Sequence, residues 1–174
     1  MATEKKKVWD IEVPLIGHKI QAFASTQDGL NGRIIKLDLT RFLKGRSIEA
    51  NLVVSKKENK LVADFTSLKV LPSYILRMMR KNISWVEDSF SCQSKDVKLV
   101  IKPFMITKKK VHRSVRKALR NQTKDFLTKF VAEREAERVF EAVLKGSLNK
   151  EIMSHLRKVY PLAFFEVRVL KAVK

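Results

Sequence analysis

Apolar residues in the first hundred positions recur mainly at every second place. Ile48, Ala50, Leu52 and Val54 alternate with Glu49, Asn51 and Val53; the polar group Lys56-Lys57-Glu58-Asn59-Lys60 follows, and Leu61-Val62-Ala63-Asp64-Phe65 resumes the run. A period of two places successive side chains on opposite faces of a strand, so this segment predicts a hairpin. Runs of the same kind at Val8–Val13, Lys19–Ala24, Arg33–Leu39, Ile83–Phe90 and Asp96–Ile101 predict further strands. Short strands separated by turns favour a barrel or a sandwich. Between them, Pro72 to Lys81 combines good helix formers with a proline where a first helical turn tolerates one, which predicts a short basic helix.

After Lys110 the period lengthens. Val115, Leu119, Phe126, Leu127, Phe130 and Val131 fall on one stripe of a 3.6-residue helix, and Val139, Phe140, Val143 and Leu144 carry the pattern on to Gly146, a natural stop. Ser147 is placed to cap a second helix that runs to about Val159 and must end near Pro161. Leu162 to Leu170 then reads as a closing strand, expected to pair with the N-terminal strands. The pattern predicts an α+β chain: an antiparallel β-barrel-like core with flanking amphipathic helices, one of them long and basic in the C-terminal half. It also predicts one compact domain over 1–174, strand-rich over 1–107, helical over 108–160 and closed by a strand over 161–174, since no Gly/Ser/Pro-rich linker or repeat interrupts it.

Composition adds a partner class. The 174 residues hold 37 Lys+Arg against 18 Asp+Glu, a formal charge of +19, which calls for a polyanion. With 45% apolar residues there is enough to build a core, so a wholly disordered basic chain is excluded. The longest stretch without a charge, Ile20 to Gln27, is far short of the roughly 18 to 20 apolar residues of a membrane helix, and the N-terminus lacks the apolar stretch of a secretory signal. The single Cys92 agrees with a reducing compartment, and no membrane partner is expected.

The charge is not spread evenly. Lys102, Lys108, Lys109, Lys110, Arg113, Arg116, Lys117, Arg120 and Lys124 follow one another without an acidic residue. On a helix the five from Arg113 to Lys124 share a face, which the apolar stripe suggests lies about opposite the core. Like charges at three and four residues repel by a few tenths of a kcal/mol each, so the arrangement opposes helix formation until phosphates reverse the sign. Each phosphate neutralised also releases counterions, giving strong and steeply salt-dependent binding to nucleic acid. Solvated faces usually mix signs, as Glu133, Arg134, Glu135, Glu137, Arg138 and Glu141 do just downstream. His112 lies within the basic block, where a phosphate contact, base stacking or a capping role all fit; Lys5, Lys6 and Lys7 form a second, smaller cluster, and Arg77, Arg80 and Lys81 a third.

Enzymatic motifs are missing from the sequence. His18, His112 and His155 fall in different elements, and there is no nucleotide-binding glycine loop, zinc pattern or nucleophile motif. Carboxylates such as Asp28 or Asp64 acting with a metal on RNA are the enzymatic alternative, though nothing pairs them in sequence. Cys92 has no cationic neighbour to make it a thiolate and reads as inert. Trp9, after three lysines, is a candidate base platform but more naturally a core anchor, and Trp85, between Ser84 and Val86, reads as core. Asp28-Gly29-Leu30-Asn31-Gly32 reads as a tight turn that uses its glycine pair, with Arg33 available to a phosphate just beyond it.

Several strings then resemble a known family. Ser147-Leu148-Asn149-Lys150-Glu151-Ile152, Val159-Tyr160-Pro161-Leu162, Val167-Arg168, Lys6-Lys7-Val8-Trp9-Asp10-Ile11, Asp28-Gly29-Leu30-Asn31-Gly32-Arg33 and Val115-Arg116-Lys117 resemble the signatures of the archaeal and eukaryotic small-subunit ribosomal proteins written S-three-A-e, also called e-S-one. The likeness covers about Lys5 to Arg168, and the chain is similar to the shorter, archaeal members. The resemblance implies a structural rRNA-binding protein on the small-subunit platform, near the mRNA exit and the rRNA 3′ end, with neighbouring ribosomal proteins, mRNA and initiation factors as further partners. It implies neither catalysis nor a cofactor. A dissociable assembly or initiation factor is the alternative that shares the same charge.

Overall fold

The computed structural model describes residues 7–43, 45–57 and 60–173. β1 (Lys7–Val13) and β2 (His18–Ala24) form an antiparallel hairpin in which Lys7 stands opposite Ala24. β3 (Ile34–Asp38), β4 (Ile48–Lys57) and β5 (Lys60–Val70) form an antiparallel ribbon, in which β4 and β5 pair up to Lys57 and Lys60 within the polar group the alternation picks out. α1 (Pro72–Met78) starts on its proline. β6 (Trp85–Glu87), β7 (Phe90–Gln93) and β8 (Lys98–Thr107) follow, then α2 (Arg113–Ala132), α3 (Ala136–Lys145), α4 (Ser147–Leu156) and β9 (Leu162–Val173).

The strands form one nine-stranded sheet with the path β2-β1-β5-β9-β8-β6, from which β4 and β3 branch at β5 and β7 at β8. The α+β class holds, but the sheet is not closed into a barrel, and β1 meets β5 in parallel at Glu12 and Val62. Helices rather than further strands complete the core: Leu68, Ile101 and Met105 of the sheet lie in one apolar cluster with Leu119, Phe140 and Ile152 of the helices. Burying a leucine contributes about 1.5–3 kcal/mol, so the fully buried Leu119 and Leu127 hold α2 in a set orientation. A smaller cluster around Ile11, Leu30, Leu52 and Leu61 lies under the β1–β2 hairpin and shares Ile16, Leu37 and Phe65 with the larger one.

β9 lies inside the sheet, pairing with β8 from Leu162 to Val173 and with β5 at Val169 to Lys171. Its link to the N-terminal half therefore runs through β5 and not through the first hairpin. β8 continues past Ile101 and through Pro103, where the register against β9 shifts; proline has no amide to give a ladder, and the shift accommodates it. The expected strand over Ile83–Phe90 is split at Asp88 and Ser89, opposite that irregularity, with the Asp88 amide reaching the Pro103 carbonyl at 3.5 Å. The expected unbroken helix to Gly146 is likewise interrupted at Glu133–Glu135. There the Arg134 carbonyl accepts from Ser94 Oγ at 2.7 Å and from the Lys95 amide at 3.3 Å, and its guanidinium lies 3.6 Å from the Phe130 ring centre.

Cys92 is buried at 6% exposure, and burial pushes its thiol above the usual range. We expect it to react with a thiol reagent at least roughly tenfold more slowly in the folded protein than in denaturant, since only the exposed thiolate is nucleophilic. Equal rates in the two states would contradict this placement.

Candidate nucleic-acid interface

The cations enter the fold where β8 ends. Thr107 is fully buried; its Oγ1 lies 2.9 Å from the Ser84 carbonyl and 2.7 Å from the Lys109 carbonyl, and accepts from the Ser84 amide at 3.1 Å. Ser84 Oγ in turn accepts from the Val111 amide at 3.1 Å. Buried hydroxyls persist only when paired, and this pair fixes the exposed loop Lys108, Lys109 and Lys110 against the start of β6. His112 follows as the N-cap of α2, its Nδ1 accepting from the Ser114 amide at 3.4 Å. One of its ring nitrogens is thus committed to the cap.

On α2 the buried side chains are Leu119, Thr123, Leu127, Phe130 and Val131, while Arg113, Arg116, Lys117, Arg120 and Lys124 are exposed. At about 100° of rotation per residue, those cations centre roughly 65–70° from the buried stripe, so they flank it rather than oppose it as the sequence suggested. The face that is opposite carries Ser114, Asn121 and Asp125. Arg120 shows which flank is involved: its Nε donates to the Glu87 carbonyl at 3.2 Å, so the cationic side of α2 borders the edge strand β6. Lys102, part of the same run in sequence, is set apart in mid-β8 opposite Val169.

The smaller N-terminal group sits elsewhere. Lys5 and Lys6 lie outside the described residues. Lys7 begins β1 opposite Ala24, and Arg33 Nη1 donates to the Phe23 carbonyl at 3.2 Å, so the hairpin brings Lys7 and Arg33 to the same end of β2. That juxtaposition has no sequence signal, because the two are far apart along the chain. In strand order β2 and β6 are the two ends of the sheet path. Only Gly32 of the glycine pair uses a positive φ, 77°, while Asp28 to Leu30 make a short 3₁₀ turn that buries Leu30.

The remaining candidates sort themselves by contacts. Trp9 is half-buried against the smaller cluster and donates from Nε1 to the Ala24 carbonyl at 3.2 Å, the anchor role. Trp85 corrects the core reading: it is 52% exposed. Alternation carried this signal, because Val86 is buried and its neighbour on a strand must face the other way. Arg77 stacks on Tyr74 and donates to Ser47 Oγ at 3.3 Å, leaving Arg80 and Lys81 exposed. Asp28 is ion-paired with Lys56 at 2.9 Å and Asp64 accepts from Ser55 Oγ at 3.2 Å; among the described residues no group of three His, Cys, Asp or Glu side chains is placed to hold a metal. In the mixed-sign stretch Glu141 pairs with Lys145, and the hydrogen bond from that ammonium holds its carboxyl below the usual range. Among the described residues no helix is long and apolar enough to cross a membrane.

A model of the Ribosomal S3Ae family matches residues 2–174. The chain is 27% identical over 177 residues to the small ribosomal subunit protein eS1 of Nanoarchaeum equitans, covering 94% of this chain and 87% of that protein. It is 27% identical over 123 residues to the protein of the same name from Saccharolobus islandicus strain L.S.2.15, covering 70% of this chain but only 59% of the relative. A third eS1, from Haloquadratum walsbyi, is 24% identical over 154 residues, 85% of this chain and 72% of its own.

Proposed function

Because the chain belongs to the ribosomal S3Ae family, we propose that it is a structural constituent of the small ribosomal subunit, held there through rRNA, and works on the ribosome in the cytoplasm. The family match across residues 2–174 carries this reading. The single-sign row supports the rRNA half of it: Lys108, Lys109 and Lys110, with Arg113, Arg116, Lys117, Arg120 and Lys124, form one exposed ridge that phosphates would neutralise. Such contacts position a protein without reading sequence, so specificity falls to RNA shape and unpaired bases. Lys7 and Arg33 are proposed as a second anchor toward the opposite end of the sheet path. The platform near the mRNA exit and the rRNA 3′ end, where the S-three-A-e resemblance points, is the proposed position, with neighbouring ribosomal proteins beside it and mRNA and initiation factors as candidate contacts. The role is non-catalytic.

The rival is a factor that leaves the ribosome, and retention separates the two. Small subunits from the source cell, washed in high salt, are expected to keep about one copy of this protein each, because many simultaneous contacts resist dissociation. Recovery in the wash, or only on a minor fraction of subunits, would favour the dissociable factor.

A further inference from the structure

We propose that Trp85 is a stacking platform for an unpaired base of the bound RNA strand, an inference that rests on the rRNA-binding reading. The residue is 52% exposed on an edge strand, and among the described residues its indole takes part in no ring contact or side-chain hydrogen bond. Trp9, by contrast, is packed and hydrogen-bonded. The β6–β8 ladder explains the orientation. Val86 stands opposite Met105, and both are buried on the side where Thr123 of α2 meets Met105 at 3.2 Å; Trp85, one residue away, is turned to the other face opposite Ile106.

The surroundings select RNA. Ile106 is followed by Thr107 and then by Lys108 to Lys110, and the Ser84–Thr107 bonds hold that lysine loop beside Trp85. Glu87, exposed on the same face, has its carboxylate paired with Arg168 at 2.9 Å. A strand whose phosphates meet the lysine loop therefore finds an aromatic surface in reach, with the nearest carboxylate on that strand already neutralised. Cations interleaved with a flat ring are how single strands are held without sequence preference. A protein-docking face needs instead a contiguous apolar patch of several hundred Å², and the exposed residues set beside Trp85 are Glu87 and the lysine loop.

The test uses the full chain with Trp9→Phe, which leaves Trp85 as the emitter, titrated with a 12-nucleotide single-stranded RNA and with an RNA duplex of equal length, binding being followed independently by anisotropy. The single strand is expected to quench Trp85. Trp85→Ala should weaken single-strand binding roughly 5- to 150-fold with the salt slope unchanged, Trp85→Phe should recover most of the loss, and duplex binding should be little affected. Binding without quenching, or an undiminished affinity in Trp85→Ala, overturns the proposal, and so does shielding of Trp85 in the subunit by a neighbouring protein instead of RNA. Absence of binding in either RNA form overturns the rRNA reading as well, whereas intact binding with a silent Trp85 overturns this inference alone.

Discussion

Replacing Arg113, Arg116, Lys117 and Arg120 together by Ala is expected to lower rRNA affinity by about a thousandfold near 0.1 M salt and to make the plot of log affinity against log salt shallower by about 3 to 4 units. Both figures follow from one count. If each side chain neutralises one phosphate, each contributes about 0.7 to 0.9 to the slope, and the affinity difference closes as salt approaches 1 M. The fold should survive, because the four side chains are exposed and α2 is held by Leu119, Thr123, Leu127, Phe130 and Val131 on another face. Removing mutual repulsion within the row partly offsets the lost Arg120 bond to the Glu87 carbonyl. The charge-conserving set Arg113→Lys, Arg116→Lys and Arg120→Lys should keep the slope while losing bidentate geometry, which separates net charge from guanidinium recognition. An unchanged slope in the alanine variant, with unchanged co-sedimentation with small subunits in high salt, would sink the role given to this ridge.

What the sequence made legible was local. The β4–β5 hairpin and the buried stripe of α2 follow from periods of 2 and 3.6, and the start of α1 from its proline and helix formers, signals that depend only on near neighbours. The break between α2 and α3 was invisible because Glu133-Arg134-Glu135 contains no helix breaker; its cause is Ser94 and Lys95, some forty residues away, bonding the Arg134 carbonyl. The same holds for the candidate site. The row from Lys108 to Lys124 was readable as a charge pattern, but its displacement to the flank beside β6 needed the packing of Leu119 and Leu127 to settle which face is down. The sequence misplaces Trp85 because a lone tryptophan in a strand is usually core; here it opens a three-residue strand at the sheet edge, and although its ladder partner Ile106 is buried, no further strand lies beside it. A net charge also counts every cation alike, and Arg46 shows why that misleads.

Arg46→Ala is expected to destabilise the fold by about 3–5 kcal/mol, read as a fall in Tm of roughly 10 °C or more. Arg46 follows β3 in the chain and looks like one more surface cation, yet its guanidinium is turned inward. It donates to the Leu144 carbonyl at 2.9 Å and the Val143 carbonyl at 3.1 Å, and is ion-paired with Glu166 of β9, whose side chain is only 4% exposed. Asn149 of α4 donates to the same carboxylate oxygen at 3.0 Å. One side chain therefore ties the C-terminal end of α3, where unsatisfied carbonyls favour a cation, to the middle of the sheet. Gly146 closes α3 beside it, at a φ of 74° in the left-handed region that favours glycine. Removing Arg46 strands a buried carboxylate with a single neutral donor and takes a charged donor from two helix-end carbonyls, of which that of Val143 keeps the Gly146 amide at 3.2 Å, which is why the expected loss exceeds that of a surface ion pair several-fold. Glu166→Gln should cost less, since Arg46 keeps both carbonyls, and the double variant should cost less than the two losses added together, because each single change leaves a partner unpaired. Additive losses, or a loss below about 1 kcal/mol for Arg46→Ala, would mean that α3 is held on the sheet by apolar packing alone, with this ion pair contributing no more than an exposed one.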